Sequence, residues 1–306
     1  MPAQEDVVKT DIGTILVATD FMQSSRLALD YAVFLAHRLH SHLVIVHAIE
    51  LGPEASNVEI VCKQPSRTRM EAAARLQAFV EASGRDGVPT DSILVEGSVP
   101  NAVTGAIQRF GADLLVMGTQ GVHRGLGHLL IGSNTEALML RSPCPTFTIG
   151  PHVLAGVGLD SRFKKVIYLS NFSAASAAAA PYALQLNRCL GGGIEIYQVV
   201  RDREEKEKTG KFKALVERYC ARLKCYGSDV KEEWCDPEFE LGRIISPDEA
   251  LEESLDPSIL MVVGAPEMTT LRRHLSASFP YRLLANAACP ILTVGNETVT
   301  GTPVAA

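Results

Sequence analysis

Several absences narrow the reading before any motif is considered. Cysteine occurs seven times in 306 residues, at 62, 144, 189, 220, 225, 235 and 289, and never as a CxxC pair. An odd set without paired spacing excludes a disulfide framework and a zinc ribbon, and it suits thiols kept reduced. Basic charge is not in excess: the net charge is −6, so no broad positive field is offered to nucleic acid or to an anionic membrane. No apolar run approaches the roughly 18 residues of a spanning helix. The opening "MPAQEDVVKTD" has neither the apolar stretch of a signal peptide nor the basic character of a transit peptide. Together these features lead us to expect a cytoplasmic protein without nucleic-acid or membrane partners. Histidines 37, 40, 42 and 47 flank one helix–strand connection without a cysteine or carboxylate to complete a metal set, and they read as surface residues. The lone Trp234 reads as a packing residue, and the mixed-sign run 201–213 as a solvated loop.

What is present is a chain written twice. "TILVATDFMQSS" (14–25) aligns with "KVIYLSNFSAAS" (165–176) at an offset of 151, and "DYAVFLAHRLHSHLVIVHAI" (30–49) aligns with 181–200 at the same offset. Further along, "LLVMGTQG" (114–121) meets "LMVVGAPE" (260–267), and "SPCPTFTIG" (142–150) meets "AACPILTVG" (287–295), the offset having drifted to 146 and 145. Small loop deletions produce such drift. The expectation is two homologous domains, 1–150 and 163–295, joined by a linker at 151–162 and followed by a flexible tail at 296–306.

Inside the first copy, strand and helix patterns alternate. "TILVAT" is a short continuous apolar run, the signature of a parallel strand buried on both faces. Ser24 and Ser25 precede a helical pattern with Leu27, Tyr31, Phe34 and Leu35 on one face. Strand patterns at "HLVIVHAI", "DSILVEG", "DLLVMG" and "PTFTIG" are separated by helical ones ending in "EASGRDG", "IQRFG" and "LMLRS". The alternation predicts an α/β fold of two doubly wound parallel-sheet domains. Ligands of such sheets bind beyond the carboxyl ends of the strands, and Asp20 and Gly118 both follow strands.

The stretch "GTQGVHRGLGHLLIGSNTEA" (118–137) carries the chemistry. Gly118, Gly121, Gly125 and Gly127 permit a loop that turns its N–H groups toward an anion. Ser133 followed by Glu136 reads as a capping box, with Gly132 opening access to a helix start that favours negative charge. Turns alone would also account for the glycines. A Walker A loop is excluded because Ser133, not lysine, follows the last glycine. A Rossmann fingerprint is excluded because "ATDFMQSS" after the first strand has no glycine.

Gly118-x2-Gly121 followed by Gly132-Ser133, with Asp20 ending the first strand and "SPCP" opening the last, resembles the universal stress proteins, and in particular their ATP-binding branch in tandem form. Residues 122–131 make the gap one residue longer than the family pattern. The resemblance implies ATP, with or without Mg, as ligand. It implies that Asp20 accepts a hydrogen bond from the ribose or adenine end and that Ala18 and Ala48 flank adenine. Met117 and Gly118 would lie beside sugar and phosphates, and Gly121, Gly132, Ser133 and Asn134 would cradle the phosphates. It further implies pairing through the last strand, either between two chains or within one chain as a pseudo-dimer, with an unnamed signalling partner.

Aligned on the "CP" anchors, the second copy loses this set. Ala277 stands for Gly132, Glu267 for Gly121, Phe279 and Pro280 for Asn134 and Thr135, and Asn171 for Asp20. A carboxylate near phosphates repels them, and a proline in the first helical turn removes a donor. One nucleotide per chain is therefore expected, with a degenerate second domain. No general base, metal-holding carboxylate and cation converge in the glycine stretch, so a binding module is favoured, with a weak ATPase of at most slow hydrolysis as one alternative. A scaffold that binds no nucleotide is the other alternative.

Overall fold

The computed structural model describes residues 11–50, 64–84, 87–119, 122–124, 128–154, 163–170, 178–190, 192–199, 239–240, 244–264 and 279–295. The chain divides into two compact units, the first spanning 11–151 and the second built on the residues from 152 onward.

In the first unit, β1 (Thr14–Ala18), α1 (Gln23–Leu39), β2 (His42–Ile49), α2 (Gln64–Gly84), β3 (Thr90–Glu96), α3 (Val99–Phe110) and β4 (Leu114–Gly118) alternate as the sequence predicts. Two short strands, β5 (Val122–Arg124) and β6 (His128–Leu130), then form an antiparallel hairpin before α4 (Ser133–Arg141) and β7 (Thr146–Ile149). The sheet is parallel, in the order β3-β2-β1-β4-β7. The continuous apolar runs of β1, β2 and β4 are explained by burial on both faces. On one face Leu16, Val44, Val46, Leu115 and Met117 pack against Val103, Ala106 and Ile107 of α3 and Leu138 of α4. The alternate residues Ile15, Val17, Ile45 and Val116 are fully buried on the other face, which α1 covers with Leu27, Tyr31, Phe34 and Leu35. Helices α1 and α3 end at left-handed residues, His40 and Gly111.

The second unit repeats this plan. It contains β8 (Lys165–Ser170), α5 (Ala180–Leu190), β9 (Gly193–Val199), β10 (Phe239–Glu240), β11 (Ile244–Ile245), α6 (Pro247–Glu253), β12 (Ile259–Gly264), α7 (Phe279–Asn286) and β13 (Ile291–Val294). Its first strand, β8, is flanked by β9 and β12. β13 pairs with β12, and the short β10 and β11 pair with β9, all in parallel. Strand register is shared as well. Ala18 pairs with Val46 and Met117 in the first unit, and Leu169, at the 151-residue offset, pairs with Tyr197 and Val263 in the second.

Two elements differ from the sequence reading. Helix α1 starts at Gln23, so Ser24 and Ser25 lie inside its first turn instead of preceding it. The residue at the N-cap of α4 is Gly132, extended at φ −63° and ψ 147°, with no side-chain cap. The Glu136 N–H bonds to the Gly132 carbonyl at 3.0 Å, which starts the helix one residue earlier than the expected box. Ser133 is thus the first helical residue, not a cap, and the capping box with Glu136 is not formed.

Candidate functional site

The parallel topology brings the carboxyl ends of β1, β2 and β4 to one edge, where the loop after β1 and the start of α4 enclose a cavity of about 250 Å³. Eight of the nine residues singled out by sequence line it: Ala18, Asp20, Ala48, Met117, Gly118, Gly132, Ser133 and Asn134. Gly121, with Gly125 and Gly127, lies outside the described residues. Val46, Val99, Val103 and Leu138 supply the apolar lining, an extension of the core below.

The two polar walls differ in chemistry. At α4 the first-turn N–H groups of Ser133, Asn134 and Thr135 have no acceptor within the helix, and the helix dipole adds partial positive charge there. Ser133 is exposed and Asn134 half-buried, each with a side-chain donor. The β1–α1 loop supplies the other polar part of the lining. Asp20 is half-buried, and its Oδ1 accepts the Met22 N–H at 2.9 Å. Asp20 therefore serves the turn into α1 and lines the cavity with the same carboxylate. Among the described residues it is the one carboxylate on the cavity wall.

Sequence reasoning missed three residues of this loop's support: Thr19, Ser25 and His47, all of which line the cavity. Thr19 and Ser25 are buried, and their hydroxyl oxygens stand 3.1 Å apart. His47 is not the surface residue expected. It is half-buried, its Nδ1 lies 2.7 Å from the Thr19 carbonyl, and its ring lies 4.2 Å from that of Phe21. The available signal was positional: His47 immediately precedes Ala48 at the end of β2.

Gly118 has a reason of its own. A Cβ there would lie 2.6 Å from the backbone carbonyl carbon and oxygen of Ser24. What approaches this glycine is the first turn of α1, so close packing within the fold fixes its identity. Met117 is both core and wall, at 3% exposure.

Cys144, which opens the last strand of the first unit, is buried, and desolvation pushes its thiol up to about 12 despite the Ser142 hydroxyl beside it. Its counterpart Cys289 behaves alike, pushed up to about 12 by burial. Neither is a nucleophile at neutral pH. Among the described residues no cluster of histidine, cysteine and carboxylate side chains is arranged to hold a metal ion. None of their helices is long and apolar enough to cross a membrane.

The family model described as "Universal stress protein family" matches residues 12–149, the first unit. A relative from Thermus aquaticus, the universal stress protein in the QAH/OAS sulfhydrylase 3' region, is 32% identical over 137 residues, which are 44% of this chain and 97% of that protein. The chain belongs to the universal stress protein family. Two solved structures extend the likeness of fold along nearly the whole of this universal stress protein. One, from Archaeoglobus fulgidus, has a TM-score of 0.65 at 18% identity, covering 92% of this chain and 96% of its own. The other, a putative universal stress protein from Pseudomonas aeruginosa, has a TM-score of 0.63 at 13% identity, covering 94% and 95%.

Proposed function

We propose that this universal stress protein is an ATP-binding signalling module that takes one adenine nucleotide per chain at the first unit's cavity, and that residues 163–295 are a degenerate second copy of the same domain. The observation that carries the reading is the set of groups gathered in one cavity: a carboxylate acceptor at Asp20, donors at the start of α4, and an apolar lining. A nucleotide matches that set, with a flat ring bearing an amine, a sugar whose hydroxyls donate, and phosphates beyond the sugar. Ala18, Ala48 and Met117 would flank the ring and sugar, and Gly132, Ser133 and Asn134 would meet the phosphates. At about 250 Å³ the cavity lies just below the usual range of ligand pockets, so it suits the nucleoside, with phosphates toward its mouth. Asp20 belongs to the nucleoside end, so binding is assigned here and phosphoryl transfer is not.

The second unit supports a single site. The positions of Ala18 and Val46 are taken there by Leu169 and Tyr197, both buried at 2% exposure, and Pro280 stands in the first turn of α7. Larger side chains stand at the equivalent strand positions, and one helix-start donor is missing.

Calorimetric titration of the intact chain with ATP tests the proposal, with Asp20→Asn and Gly121→Glu alongside as the second copy's residues installed in the first. The expected result is a stoichiometry near one, with binding weakened at least tenfold by Asp20→Asn and abolished by Gly121→Glu. A stoichiometry of two, or no binding by the intact chain, overturns it.

A further inference from the structure

We infer that Ser25 is a positioning residue for Asp20, acting through a chain of hydroxyl groups that holds the β1–α1 loop in a strained shape. The inference rests on the nucleotide reading above. Phe21, the second residue of the loop's turn, has φ 65°, a left-handed conformation that a bulky side chain keeps only where its surroundings over-determine it. Those surroundings are on hand. The Phe21 N–H donates to Thr19 Oγ1 at 3.0 Å, the Thr19 hydroxyl donates to Ser25 Oγ at 3.1 Å, and the Ser25 hydroxyl donates to the Met22 carbonyl at 3.0 Å. Beneath this relay, the Thr19 N–H donates to the Val46 carbonyl at 3.0 Å. His47 Nδ1 meets the Thr19 carbonyl at 2.7 Å, and because a carbonyl only accepts, that nitrogen carries the proton.

Met22 is the link to the carboxylate. Its carbonyl is held by Ser25, and its N–H donates to Asp20 Oδ1 at 2.9 Å. The peptide groups around Met22 therefore set where Asp20 points, and Ser25 sets the Met22 carbonyl. A consequence for recognition follows from counting protons. Both hydroxyl protons are used inside the loop, and both hydroxyls line the cavity at 7% and 4% exposure. Neither hydroxyl therefore offers a ligand a proton, and the carboxylate beside them accepts. It selects the ligand end that bears donors, and Ser25 keeps that selectivity in place without supplying the main contact. Replacing Ser25 by alanine leaves the Thr19 hydroxyl without its acceptor and frees the Met22 carbonyl from one of its two donors, the other being the Arg26 N–H at 3.0 Å. Helix α1 keeps its backbone bonds, so the variant folds.

The experiment measures the affinity of the intact chain, of Asp20→Asn and of Ser25→Ala for three probes: ATP, 2′,3′-dideoxy-ATP, which lacks the sugar hydroxyls, and purine riboside triphosphate, which lacks the ring amine. Asp20→Asn identifies the donor that Asp20 reads, as the analogue whose disadvantage disappears. The expected result is that Ser25→Ala shrinks that same ratio at least fivefold while its affinity for the analogue itself stays within twofold. An unchanged ratio, an equal loss for all three probes, or an Asp20→Asn variant that moves neither ratio overturns the inference. Failure of the intact chain to bind any probe overturns the nucleotide reading instead, and amide exchange on the ligand-free protein then decides the positioning role. Ser25→Ala is expected to speed exchange at Phe21 and Met22 at least tenfold while leaving Val17 and Val46 protected. Equal protection in both proteins overturns it.

Discussion

The first and second units have the same strand order and the same register at their centres, yet they differ in the residues at the carboxyl ends of their central strands, where the first unit encloses a cavity. Ala18 and Val46 line that cavity, whereas the larger Leu169 and Tyr197 stand in matching register in the second unit. Tyr197 also turns its hydroxyl to Glu195 at 2.6 Å, and Glu195 pairs with Lys165 at 3.1 Å, so polar groups in this part of the second unit satisfy each other. The difference teaches that a doubly wound sheet accepts larger side chains at the carboxyl ends of its central strands without a change of strand order. The buried strands specify the fold, and the ends of the strands with the loops beyond them specify whether it binds anything.

Reciprocal exchange of one wall residue breaks the comparison most directly. Leu169→Ala removes a fully packed side chain, and we expect a loss of about 2–5 kcal/mol, read as a shift in the denaturant midpoint. Ala18→Leu is made at a position that lines the cavity, so stability should change little while ATP affinity falls about a hundredfold, measured by calorimetry.

The two units should agree at their buried thiols. With Cys144 and Cys289 both raised to about 12, the thiolate fraction at neutral pH is about a thousandfold below that of an ordinary cysteine. Mass spectrometry after brief iodoacetamide treatment is expected to find both unmodified in the native protein and alkylated in denaturant.

Gly118→Ala places its methyl against the Ser24 backbone, and we expect about 1–3 kcal/mol of destabilisation by chemical denaturation, with or without nucleotide. An effect seen only in nucleotide affinity would instead make the ligand the reason for this glycine.

The smallest effect concerns helix starts, where the units differ. Ser246 caps α6 in a complete capping box, accepting the Glu249 N–H at 3.2 Å while the Glu249 side chain accepts the Ser246 N–H at 2.6 Å. Ser246→Ala should cost about 1 kcal/mol, and Ser133→Ala only a few tenths, by thermal denaturation of the two variants.

Much of the architecture was legible because the decisive residues act locally. Continuous apolar runs marked β1, β2 and β4, and Gly111 marked the end of α3 by its left-handed φ of 60°. Asp20 and Gly118 were legible because parallel strands bring their carboxyl ends to one edge, Gly132, Ser133 and Asn134 because they open a helix after the glycine stretch, and Ala18, Ala48 and Met117 through the family resemblance alone. What escaped was of two kinds. The hairpin β5–β6 is built of three-residue strands, too short to display a period. The relay through Thr19, Ser25 and His47 consists of bonds between one loop, a helix turn and a neighbouring strand, and linear spacing carries no trace of them. At α4 the Ser133–Glu136 pattern was misleading: Gly132 takes the extended cap position, Ser133 is the first helical residue, and no capping box forms.

The strand order also bears on how the protein is made. β1 pairs with β2, which ends at Ile49, and with β4, which ends at Gly118. As the chain leaves the ribosome, one edge of β1 finds its neighbour early. The other must wait for about 70 further residues, several seconds at about 5–20 residues per second. For that interval a fully apolar strand, Ile15 to Val17, presents an open edge. The nascent first unit thus passes through a stage with an unpaired edge of the kind that finished folds pair or cover.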